Sequence, residues 1–140
     1  VTMTVTRPHA IGAPGYSETW RCEPQTVGRA RSLVKAALNT WGLECLVDRS
    51  ELIVSELVTN SVEHSQSRVV RVSITRPKSA LVVIAVSDRS KALPAYQVPE
   101  EDAEGGRGLY LVDVTADCWE TDVRHWGKTV RAELRVKEDD

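Results

Sequence analysis

The chain has 140 residues, of which 41% are hydrophobic and 27% charged, and its net charge is −2. That size suits one compact domain around one core, and the balance excludes wholesale disorder. Acidic and basic residues are interspersed, which leaves no basic field for nucleic acid and no cationic face for an anionic membrane.

In chain order, Val1 to Tyr16 contains Pro8, Gly12, Pro14 and Gly15 with little periodicity, and residues 1–16 read as a mobile tail ahead of a single domain over 17–137. Glu18 to Glu23 alternates as a short strand does. Pro24 falls where a first helical turn begins, and Val27, Ala30, Leu33, Val34, Ala37, Leu38 and Trp41 repeat at helical spacing up to Gly42. Asp48 reads as an N-cap with Glu51 as its capping-box partner, opening a second helix that runs to His64. Arg68 to Arg76 and Ala80 to Asp88 are β-branched runs joined by Pro77, Lys78 and Ser79, the pattern of an antiparallel hairpin.

Arg89 to Glu104 is polar, aperiodic and long for a loop inside a compact domain; such loops are usually lids or binding loops. Gly105 to Gly108 then leads into an apolar helix over Leu109 to Ala116. A last hairpin pairs Cys118–Arg124 with Thr129–Val136 around Trp126-Gly127-Lys128. The order β-α-α-β-β-α-β-β describes an α+β two-layer sandwich, with a mixed, mostly antiparallel sheet and three helices on one face.

The longest apolar run, Leu81 to Val86, is too short to cross a bilayer, and no charged-then-apolar leader opens the sequence, so a cytoplasmic location is expected. Cys22, Cys45 and Cys118 have neither metal-ligand spacing nor a disulfide framework, and His9, His64 and His125 have no metal spacing.

Chemistry concentrates in three places. ELVTNSVEHS sets Thr59, Asn60 and Ser61 together inside a helix, although asparagine and serine are poor helix-interior residues. Glu56 and Asn60 stand four residues apart and project to one side, at the border of an arc (Val54, Val58, Ser61, Val62) assigned to the core. A carboxylate there can orient or deprotonate a nucleophile, and an amide oxygen can ligate Mg²⁺; taken alone, the pair is more simply an exposed glutamate and a back-bonded asparagine. Asp88 ends an apolar strand just before the long loop, where either a ligand contact or a turn-initiating aspartate belongs. GGRGLYLV is a glycine loop entering a helix, a pattern whose free amides and helix dipole favour an anion such as phosphate.

Taken in order, E-x-x-x-N on a helix, an aspartate after a strand, a lid-like loop leading to G-G-R-G-L, and G-K-T-V in a strand resemble the GHKL ATPases and their Bergerat ATP-binding fold. The wording SELVTNSVEH, VSDRSKALP, EGGRGLYLVD and GKTVRAEL is similar to that of the anti-sigma-factor serine kinases, the small bacterial RsbW-like, histidine-kinase-like ATPases. The resemblance covers Glu18 to Val136.

It implies that Glu56 is the general base toward the accepting hydroxyl and that Asn60 ligates Mg²⁺. Asp88 would accept a hydrogen bond from the adenine amino group, with Thr129 supporting that contact. Gly105, Gly106, Arg107, Gly108 and Leu109 would form the loop-to-helix segment at the phosphates. ATP and Mg²⁺ are the implied cofactors, and transfer of the γ-phosphoryl group to a serine of an anti-anti-sigma (STAS-type) protein is the implied activity. A sigma factor would be the second partner, neither nucleic acid nor membrane being bound directly, and the Glu18–Glu23 strand offers an edge for a homodimer. One departure stands out. The superfamily's Asp-x-Gly-x-Gly is here Asp88-Arg89-Ser90-Lys91-Ala92, without the glycines that let backbone approach a base. A non-catalytic module that keeps the fold but transfers no phosphate is the alternative.

Overall fold

The computed structural model of the chain describes residues 4–5, 13–90 and 108–137. Its elements are β1 (Thr4–Val5), β2 (Gly15–Arg21), α1 (Thr26–Thr40), a 3₁₀ turn (Glu44–Leu46), α2 (Val47–His64), β3 (Val69–Lys78), β4 (Leu81–Asp88), α3 (Gly108–Thr115), β5 (Cys118–Arg124) and β6 (Gly127–Arg135). They make one six-stranded sheet in the order β1-β2-β3-β4-β6-β5. Every strand pairing among the described residues is antiparallel, so none of the parallel pairing in the expected mixed sheet is found among them.

Strand alternation divides the sheet into two chemistries. Val70, Val72 and Ile74 of β3, Val82, Ile84 and Val86 of β4, and Val130, Ala132 and Leu134 of β6 are buried in one core. Against them pack Leu33, Val34 and Leu38 of α1, Ile53, Val54, Leu57 and Val58 of α2, and Leu109 and Val112 of α3. The intervening strand residues face the other way, as a period of two requires. The three helices therefore share one face, giving the two-layer α+β sandwich.

Several boundaries differ from the sequence reading. β2 starts at Gly15 rather than Glu18, and Thr4 and Val5 pair with Ser17 and Tyr16, so parts of the segment read as a tail are strand. Packing holds that start: the Tyr16 ring lies 5.7 Å from the ring of Trp41 at the end of α1, and Pro14 O accepts the Arg76 amide at 2.9 Å. Pro24 precedes the helix, whose N-cap is Gln25. The end of α1 is closed at Gly42 (φ +70°), where the Leu43 amide reaches Leu38 O at 2.8 Å and the Gly42 amide reaches Asn39 O at 3.2 Å. That pair of bonds is a Schellman motif, and it wants glycine at the left-handed position.

Asp48 is not the N-cap of α2. The 3₁₀ turn runs directly into the helix, Leu46 takes the cap position without a side-chain bond, and Asp48 sits in the first turn, where its charge meets the helix dipole. Pro77 lies within β3, where the register shifts between Thr75 and Lys78, and this bulge accommodates a residue with no amide to donate. The last hairpin turns at His125–Trp126, since Arg124 pairs with Gly127.

Candidate functional site

Along β4, Ile84, Val86 and Asp88 alternate onto one face, the face that packs under the helices. Asp88 is buried, and directly across the ladder from it stands Lys128, also buried. Residues opposite one another in an antiparallel pair share a face, so both side chains meet beneath the helices.

The Lys128 ammonium donates to Asp88 Oδ1 at 3.0 Å and Oδ2 at 3.2 Å, and reaches Ser90 O at 3.5 Å. Ser61 Oγ of α2 donates to Oδ2 at 2.7 Å, and the Ser90 amide donates to Oδ1 at 2.8 Å. A carboxylate offers roughly four lone-pair sites, and these contacts use that capacity. Asp88 thereby ties the last turn of α2 to the end of β4 and the start of β6. Ser61→Ala removes a bond to a buried charge and is expected to cost about 1.5–3 kcal/mol. Urea unfolding measures it, and an unchanged midpoint would remove Ser61 from the network.

Gly127 makes the approach of β6 to β4 feasible. Its φ is +154°, and a Cβ there would collide with Asp88 O and lie 2.6 Å from Arg89 Cα. Ser67 Oγ accepts the Arg89 amide at 3.1 Å, fixing the first residue beyond the strand.

Glu56 and Asn60 are half-buried on α2, one turn apart, and neither side chain has a hydrogen bond among the described residues. Burial, with a smaller repulsion from Glu63, raises the Glu56 carboxyl above its usual range. Burial first and the Asp88 charge second push the Cys22 thiol up as well, which keeps it protonated and a poor nucleophile. Leu109 is buried in the core, so only its backbone, in the first turn of α3, remains for a ligand. Gly108 begins that helix, while Gly105, Gly106 and Arg107 lie outside the described residues, as does most of the Arg89–Glu104 loop.

The register does not bring Thr129 to Asp88. Thr129 pairs with Ser87, and their hydroxyls lie 2.8 Å apart on the opposite face of the sheet. That face holds a trough of about 970 Å³ whose lining includes Arg71, Ser73, Ser87, Thr129 and Arg131. Lys128 and Ser61 are not among the expected site residues. The sequence signals for them are faint: a lysine at a strand start, beside a strand that ends in aspartate, and a serine on an apolar helix arc.

An antiparallel sheet under three helices, with an acid–amide pair on one helix and a carboxylate at a strand end, makes this an α+β two-layer sandwich. A family model described as the histidine kinase-like ATPase domain matches residues 21–134, and the chain belongs to that family. Membership places it in the GHKL-type ATPase superfamily and implies ATP binding. No curated protein matches the chain. The residues fit a Mg-nucleotide at one end: Glu56 and Asn60 leave a carboxylate and an amide without a protein partner among the described residues. They do not fit it at the other, where Asp88 is already saturated. No cluster of three or more His, Cys, Asp or Glu side chains able to hold a metal exists among the described residues, so Asn60 would contribute one ligand beside phosphate and water. No helix of the described residues is long and apolar enough to cross a membrane.

Proposed function

We propose that this domain is a serine/threonine protein kinase of the RsbW-like, anti-sigma type, acting in the cytoplasm on a serine of a small anti-anti-sigma (STAS-type) partner and alternately sequestering a sigma factor. The observation that carries the reading is the pair Glu56 and Asn60, half-buried one turn apart and unbonded among the described residues, in a chain of the histidine kinase-like ATPase family. ATP would supply the γ-phosphoryl group, with Mg²⁺ held partly by Asn60. The acceptor serine oxygen forms the new P–O bond as the bond from the γ-phosphorus to its bridging oxygen breaks and ADP leaves. Glu56 takes the hydroxyl proton, and its raised pKa makes it a better base than an exposed carboxylate. Among the described residues β1 pairs only with Tyr16 and Ser17 of β2, and a homodimer would pair along that edge from Thr19 on.

Transfer of label from γ-³²P-ATP to a protein co-purified from the native cell tests the reading. Glu56→Gln is expected to lower the rate by about 100- to 10,000-fold. The stability of that variant has a definite sign. Because the folded-state pKa of Glu56 is raised, the stabilisation from its protonated form is full below the unfolded pKa and is lost as pH rises through the folded one. Above that window Glu56→Gln should be the slightly more stable protein, solvent screening keeping the gain small at a half-exposed group. Normal transfer by Glu56→Gln would end the general-base assignment. The second reading, a module that does not transfer phosphate, is favoured by one observation, the closed state of Asp88.

A further inference from the structure

The carboxylate that the resemblance assigns to reading adenine already has a cation on it. Lys128 Nζ lies within 3.2 Å of both Asp88 oxygens, and the two side chains are 5% and 1% exposed. Ser61 and the Ser90 amide take the remaining acceptor positions. An exocyclic amine needs one of these acceptors, so it cannot bond Asp88 while all four contacts stand. Lys128 is the contact that can leave. Ser61 is held on α2 and the Ser90 amide on the backbone, whereas the lysine ammonium ends a flexible four-carbon stem.

We propose that Lys128 is an internal competitor for the base-reading carboxylate and sets the nucleotide affinity of this domain, because its ammonium must leave Asp88 before an adenine amine can bond there. The inference rests on the nucleotide-binding reading above. Apparent affinity falls by the fraction of molecules in which the competent state is populated. If the pair is open in about one molecule in ten, the loss is about tenfold. The effect is base-selective, since adenine presents an amine donor where guanine presents a carbonyl acceptor.

Calorimetric titration of the full chain with Mg-ATP and Mg-GTP tests this, using wild type, Lys128→Met and Lys128→Arg, each first shown folded by circular dichroism. Lys128→Thr, whose hydroxyl can still donate to Asp88, serves if the methionine variant does not fold. The expected result is ATP binding about tenfold or more tighter in Lys128→Met (or Lys128→Thr) than in wild type, with GTP binding not improved and Lys128→Arg still weak. Equal or weaker ATP binding in the neutral variants, beside measurable binding by wild type, overturns the role of Lys128 and leaves the nucleotide reading intact. Equal tightening for ATP and GTP also overturns it, because the competition is then not for the base amine. No ATP binding by any folded protein at millimolar concentration overturns the nucleotide reading itself, and this inference with it.

Discussion

Asp88→Ala is expected to destabilise the fold by about 3–5 kcal/mol, because it strands the Lys128 ammonium in a site where that side chain is only 5% exposed. Three groups lose the Asp88 carboxylate at once: Lys128, Ser61 Oγ and the Ser90 amide. The double variant Asp88→Ala/Lys128→Met removes the buried charge as well as its partner, and most of the loss should return. Chemical denaturation of wild type, both single variants and the double variant gives the coupling. If the two single losses simply add, the ion pair is not the source of the cost.

Gly127→Ala should be comparably damaging for a steric reason. The new methyl would collide with Asp88 O and sit 2.6 Å from Arg89 Cα, and both are backbone atoms that no rotamer change can move. The φ of +154° adds a conformation that L-residues rarely adopt. Relief requires the start of β6 to draw away from β4 at the Asp88–Lys128 rung. The expected loss is about 3 kcal/mol or more, seen as a melting temperature roughly 10 °C lower. An alanine variant melting within about 2 °C of wild type would contradict the close approach.

The candidate site was legible in the sequence wherever its arrangement depended on neighbours along the chain. Glu56 and Asn60 share a helix face because four residues complete about one turn, and no tertiary information is needed for that. Asp88 was visible as the last residue of an apolar strand. The start of β2 was less legible, because Gly15 and Tyr16 join the sheet through pairing with β3 and packing on Trp41, neither of which is local. Asp48 failed as an N-cap for a related reason: the 3₁₀ turn before it, rather than a side chain, leads into the first turn of the helix.

The amino-acid sequence by itself determined the order of elements from β2 to β6, the apolar faces that make one core, and the acid–amide pair on α2, because hydrophobic period and turn chemistry are local properties. Only the tertiary structure decided what meets Asp88. Lys128 and Thr129 are adjacent in the chain, and strand pleating sends one to each face of the sheet. Register chooses between them: a slip of one residue would exchange their places. The pairing Asp88↔Lys128 puts the ammonium on the carboxylate and leaves the threonine hydroxyl on Ser87, on the other side of the sheet.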